Sequence, residues 1–302
     1  MGGKMIGKCQ LCTNMTELRN SHIIPKFVFD WLKETSPGQI RIAHIPNQRV
    51  QDGLKIYLLC DICEGLFSKW EKPFQEIVFG PLHALGFDEL VQIHYKEWAV
   101  KFAVSVTWRV LSFYKINDEL GHLSERQRNL ADEALNTWHS FLRGQVPNPG
   151  IFEQHIIPTS MVVEHSIPGV SHYLNRYLLR TVDMDVACSS NSAFVYVKMG
   201  RLILFGLIQE PHPKVWQGTK FHIRKGIIGG KRYILPAGID EYINYKASKL
   251  EESNDSLSQR QQEKVRQVQE MEKFKESEIY QAMVQDMILS SWDNPEDTEE
   301  KT

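Results

Sequence analysis

Apolar positions recur in different rhythms along this chain, and the changes of rhythm divide it. The run Ile56-Tyr57-Leu58-Leu59 is short and continuous, which reads as a buried strand, and Ile23-Ile24 suggests another short strand upstream. After Cys63, the residues Leu66, Phe67 and Trp70 stand at helical spacing, so the second of two cysteine pairs is expected to open a helix. Gln92 to Asn117 and Ser124 to Arg143 carry apolar residues at helical intervals over lengths too great for strands. They form a predicted helical hairpin, with Ser124 as the cap of its second arm and Gly144 at its end.

Val146-Pro147-Asn148-Pro149-Gly150 is a concentration of turn residues and the expected domain border. Beyond it the pattern predicts strands over Ser160 to Glu164, Ser192 to Lys198 and Leu202 to Ile208, with Met199-Gly200-Arg201 as a hairpin connection. Tyr173 to Val186 reads as a helix, Thr219 to Ile228 and Tyr233 to Leu235 as edge strands, and Pro236 as the first turn of a helix through Tyr245. Polar and charged residues dominate 248–278, as in an exposed helix or linker. A stripe of Ile279, Met283, Val284, Met287, Ile288 and Trp292 then has the spacing of a docking helix, and 293–302 is an acidic tail expected to be disordered. The expected fold class is α+β. Its expected divisions are a metal-binding module over 1–80, the hairpin over 81–145, an α+β domain over 146–247, and a charged helix with its tail over 248–302.

Composition places the chain among soluble globular proteins, with 42% hydrophobic and 24% charged residues in 302. The most apolar long segment, Trp98 to Tyr114, falls short of the roughly 20 residues a bilayer requires and contains Lys101 and Arg109. It reads as a core helix, and no membrane partner is expected. No apolar stretch with a small-residue cleavage site appears near Met1, so the expected location is cytoplasmic. The net charge of −2 conceals an asymmetry. Residues 251–302 carry 6 basic and 14 acidic side chains, which leaves 29 basic against 23 acidic in 1–250, a mildly basic body suited to polyanions.

Four of the five cysteines form two Cys-x-x-Cys pairs, Cys9 with Cys12 and Cys60 with Cys63, while Cys188 stands alone. Each pair places two thiolates on one tight turn, where both reach a single tetrahedral ion at about 2.3 Å. One such pair alone would also suit core cysteines or a redox site. Two pairs flanking one segment point to a structural zinc ion, which closes a loop of nearly fifty residues and helps to fold it.

Within that loop lies Ser21-His22-Ile23-Ile24-Pro25-Lys26, and Leu58-Leu59 leads directly into the second pair. Cys-x-x-Cys, then His-Ile-Ile-Pro, then Leu-Leu-Cys-x-x-Cys before a helix resembles the zinc-stapled HNH endonucleases of the treble-clef, ββα-metal type, over about a quarter of the chain. The resemblance implies structural cysteines, a general base at His22, and a catalytic divalent cation (Mg²⁺, Mn²⁺ or Ni²⁺) beside the scissile phosphate. Glu64 would help to hold that cation, together with Asn47 or Asp52. Ser21 stands where the family has a metal ligand, Glu64 replaces a histidine after the last cysteine, and Asn47 lies farther upstream than the usual asparagine. Histidine, with an ordinary pKa near 6.5, suits proton removal from water. Lys26 and Arg49 flank this site and are the expected phosphate contacts.

The expected activity is therefore metal-dependent hydrolysis of phosphodiester bonds in nucleic acid, DNA before RNA. The alternatives are a zinc module that binds nucleic acid without cleaving it, and an interaction component of a defence or mobile-element assembly. In the last reading the C-terminal helix would engage a partner protein or a second copy.

Overall fold

Cysteine pairs at both ends of a strand-forming segment bring distant parts of the chain together, and the remaining elements build outward from that junction. The computed structural model describes residues 4–36, 41–42, 45–49, 52–84, 91–164 and 169–293; of 41–42, 45–49 and 291–293 only the backbone is described. Strands β1 (Ile6–Lys8), β2 (Met15–His22) and β5 (Lys55–Cys60) form an antiparallel sheet in the order β1-β2-β5. Between β2 and β5 lie helix α1 (Lys26–Thr35) and a small hairpin, β3 (Arg41–Ile42) with β4 (Ile45–Arg49). Helix α2 (Asp61–Phe74) starts at Cys60 as the pattern after Cys63 predicts, then continues through a π-helical turn, Gln75–Phe79, into the short α3 (Gly80–Leu82). Pro73 lies just before that turn, where its missing N–H leaves the α-helical ladder open.

Strand β6 (Ile93–Lys96) precedes the long helix α4 (Trp98–Ile116), which packs against α2 and against α5 (Glu125–Leu142). The expected helix from Gln92 is thus corrected at its start. Ile93 and Tyr95 are buried while His94 and Lys96 are exposed, a period of two that belongs to a strand. Ser124 caps α5 as expected, its hydroxyl accepting from the Gln127 N–H while the Gln127 side chain accepts from the Ser124 N–H.

The second sheet has the antiparallel order β7-β10-β9-β8, from β7 (Gln154–Pro158), β8 (Val182–Cys188), β9 (Ala193–Met199) and β10 (Leu202–Gln209). Gly200 and Arg201 make the expected turn between β9 and β10, with Gly200 at φ +57°. Three strand expectations are corrected. The strand lies at Gln154–Pro158 and none occupies Ser160 to Glu164; only β11 (Lys225–Ile228) of the stretch from Thr219 is a strand; and Tyr233 to Leu235 contributes a single bridge through Ile234. The helix expected over Tyr173 to Val186 is α6 (Leu174–Arg180) alone, because Val182 onward is β8, fully paired with β9. Ladder bonding outweighs helical spacing there. Helix α7 (Ile239–Asp255) starts later and runs farther than the turn after Pro236 suggests, and α8 (Gln259–Gln269), α9 (Glu272–Lys275) and α10 (Glu278–Asp293) complete the chain.

The core has two faces. One continuous cluster runs from Cys9, Leu58 and Phe67 through α4 and α5 to Val195, Val197 and Leu204 on one side of the second sheet. The opposite side, Tyr196, Ile203 and Phe205, packs with Tyr177 of α6 and Ile243 of α7. Helix α10 lies on α6, and its buried Asp286 accepts from the Asn175 N–H and from Nε of Arg176, capping that short helix. No described helix is long and apolar enough to cross a membrane.

Candidate functional site

Both cysteine pairs sit on turns that aim sulfur inward. The first turn is closed by the Thr13 N–H to the Cys9 carbonyl at 2.9 Å, with Thr13 in the left-handed region at φ +65°. The second is the junction of β5 with α2. One Sγ from each of Cys9, Cys12, Cys60 and Cys63 lies within 4.8 Å of every other, and the Cys12 and Cys60 sulfurs are 3.8 Å apart. A tetrahedron with Zn–S bonds of about 2.3 Å has edges of about 3.8 Å, so this set fits zinc. Burial disfavours the Cys9 thiolate, but N–H groups of Cys12, Cys60 and Leu11 directed at its sulfur lower its pKa to about 7, whereas burial pushes the Cys63 thiol up. The Cys60 N–H donates to Cys9 Sγ at 3.4 Å. Cys188 is exposed on β8, away from this set.

His22 is the last residue of β2, opposite Lys55 of β5. The two residues that follow, Ile23 and Ile24, are buried but belong to a turn rather than to the short strand the sequence suggests. The His22 ring lies over Phe29 of α1, with centroids 6.4 Å apart, and its Nε2 is 3.0 Å from Asp52 Oδ1. That approach is off the N–H axis, so it is a close polar contact rather than a straight hydrogen bond, and Nε2 is otherwise enclosed. Asp52 also receives Lys55 Nζ at 2.7 Å and the Gly53 N–H at 2.9 Å. Burial raises its pKa, but these donors and His22 outweigh burial and hold the carboxyl well below the usual carboxylate range.

The buried Arg109 of α4 fixes the backbone at this point, donating to the carbonyls of His22 and Ser105 and to Glu71 Oε1 at 2.7 Å. Arg109, which makes the sequence of α4 unfit for a membrane, is therefore a strut between α4, β2 and α2. Glu71 is committed to it. Glu64 stands in the first turn of α2 with Oε1 enclosed and without a hydrogen-bond partner among the described residues. No described contact joins Glu64 to His22. Ser21 is buried on β2, its hydroxyl on the Arg19 carbonyl at 3.3 Å. Lys26 is exposed, but its ammonium is bound by both oxygens of Asp30. Asn47 and Arg49 lie on β4, and their side chains fall outside the described residues.

Asp52 and Gly53 form part of the wall of a cleft of about 910 Å³ between the cysteine-stapled segment, α4, β8 and α7. Ile23, Phe113 and Leu250 supply apolar walls, and Asp183 and Asp185 of β8 face it. Both carboxylates receive Lys246 Nζ, at 2.9 and 3.3 Å, and hydroxyls of Tyr177 and Tyr242. No sequence motif announced this group, since the contributing residues come from three separate elements.

Comparison of the chain with protein-family models, with curated proteins and with solved structures finds no match.

Proposed function

We propose that the chain is a zinc-stapled endonuclease of the HNH type, hydrolysing phosphodiester bonds in nucleic acid, with a treble-clef module formed by β2, β5, α2 and the four cysteines. The observation that carries this reading is the 3.0 Å approach of His22 Nε2 to Asp52, at the end of a strand whose neighbour runs into a cysteine pair and a helix. An ionised carboxylate at Nε2 favours the tautomer with its proton there, which leaves the Nδ1 lone pair to take a proton from water. A positioned base of this kind contributes about 10²- to 10⁴-fold. Glu64, with an enclosed oxygen lacking a partner, is the group best suited to hold a catalytic divalent cation, and Asn47 is a second candidate. Such an ion, bound here, would polarise the phosphate and stabilise developing charge.

A second reading, nucleic-acid binding without cleavage, is favoured by Ser21, which stands where a catalytic metal ligand is expected and whose hydroxyl is turned to the Arg19 carbonyl. On this reading phosphates lie outside the cleft on the Asp52 side, where Glu119, Asp183, Asp185 and Glu252 against Lys246 and Lys249 repel a polyanion. Incubating the protein with supercoiled plasmid and single-stranded DNA, with magnesium, manganese or nickel, separates the two readings. Nicking that disappears in a His22→Ala variant with full zinc content supports the nuclease; DNA retention without nicking by either protein supports the binding module.

A further inference from the structure

Strands β6 and β11 form a two-stranded antiparallel ribbon with one side buried and one side open. Ile93, Tyr95 and Ile228 face the core, whereas His94, Lys96 and Lys225 are exposed. Lys96 and Lys225 are direct cross-strand partners, and like charges placed opposite one another weaken a ribbon. The sequence around β11 reinforces the imbalance, while on the β6 side the exposed Glu97 follows Lys96. From Pro211 to Ile239 there are six cations, Lys214, Lys220, Arg224, Lys225, Lys231 and Arg232, and no carboxylate. All six are exposed, and among the described residues only Lys220 has a carboxylate partner, Glu153. Gly229 and Gly230 turn the chain after β11 at φ +82° and +61°, which carries Lys231 and Arg232 to the end of the ribbon. A side chain at Gly229 would meet the Val91 carbonyl oxygen at 2.3 Å, so the turn requires glycine.

We propose that the open side of this ribbon, with Lys96, Arg224, Lys225 and Arg232 as its main contacts, binds the phosphate backbone of duplex DNA. Anionic phosphates relieve the Lys96–Lys225 repulsion, and a two-stranded ribbon is narrow enough to follow a groove of a duplex. Single strands are a poorer fit, because they are held by stacking on exposed aromatic rings, and here Tyr95 and Phe221 are buried while Tyr233 is half-buried, its hydroxyl accepting from the Gly229 N–H. The inference rests on the nucleic-acid half of the proposed function and is independent of cleavage by His22.

The test is fluorescence anisotropy of the full chain with a labelled 20-base-pair duplex, the matching single strand, and phosphatidylglycerol vesicles, between about 50 and 200 mM KCl. Four phosphate contacts predict a slope of log affinity against log salt near −3.6, from about 0.9 per contact. A Lys96→Glu/Lys225→Glu variant with unchanged zinc content and circular dichroism should bind the duplex at least tenfold more weakly. The milder Lys96→Gln/Lys225→Gln pair should flatten the slope by about 1.8. Unchanged duplex affinity in both variants, or preference for the single strand or the vesicles, overturns the assignment. Nicking with no loss of duplex affinity in the variants would leave the nuclease reading intact and refute the ribbon. Ribbon-dependent binding with no nicking would do the reverse, and no binding to any probe would refute the ribbon.

Discussion

Acidification should weaken this fold through His83, whose ring is stacked on Phe79 at 3.9 Å and against Trp31 at 4.5 Å. Its Nδ1 donates to the Phe79 carbonyl and its Nε2 accepts the Arg201 N–H, each at 2.7 Å, which defines the neutral tautomer. Burial, with Lys198 and Arg201 nearby, lowers its pKa from 6.5 to about 3. The unfolded chain therefore binds a proton near 6.5 that the folded chain refuses until about pH 3, and stability falls as pH drops through that window. The linkage amounts to about 1.4 kcal/mol per pH unit below 6.5, or about 2.7 kcal/mol at pH 4.5. Urea unfolding of the wild type and of His83→Gln at a series of pH values measures it. The variant is less stable at pH 7.5, and its deficit should shrink by about 2.7 kcal/mol at pH 4.5, since the other titrating groups are common to both proteins. Parallel curves would show that His83 takes up its proton in the folded state and that the neutral assignment is wrong.

Other substitutions test the remaining structure. Cys60→Ser should abolish binding of one zinc ion per chain, and loss of the tie across the loop from Cys12 to Cys60 should cost about 4 kcal/mol by a loop-closure argument; mass-spectrometric zinc content and thermal melts read both. Gly200→Ala would place a methyl 2.4 Å from His83 Nε2 at a positive φ, with an expected loss of about 2–4 kcal/mol in denaturant melts. Arg109→Met leaves Glu71 and the His22 carbonyl without their donor, and should destabilise by about 3–5 kcal/mol. On the nuclease reading, Asp52→Asn should slow plasmid nicking at least tenfold while zinc content stays constant, because the charge facing His22 is lost.

What could be read from the sequence depended on how local the controlling interactions are. The cysteine spacing announces the metal set because two ligands share each turn, and Ser124 with Gln127 announces a helix start within four residues. Strand β8 was hidden, because Val182 to Val186 also satisfies helical spacing and only pairing with β9 decides between them. Helix α1 went unread inside the cysteine loop: Phe27, Val28 and Phe29 are all buried, a run that does not display one face. The Asp52 carboxylate was legible as a candidate metal ligand but not as the partner of His22, since its approach to His22 depends on the β2–β5 register. The basic ribbon had a readable signal, the absence of any carboxylate from Pro211 to Ile239, which a charge count over 1–250 as a whole averages away.

The pairing of β2 with β5 beside two cysteine turns also affects how this protein can change over evolutionary time. Once a metal ion clamps Cys9 and Cys12 to Cys60 and Cys63, the chain between α1 and β5, which carries the β3–β4 hairpin, is a segment whose ends are already held together. Doubling such a segment costs only about 0.6 kcal/mol in closure entropy, far less than the clamp contributes. Lengthening the chain beyond Thr35 and before Asp52 therefore costs little in closure entropy. New recognition elements can be grafted next to His22 there without disturbing the strands that hold it.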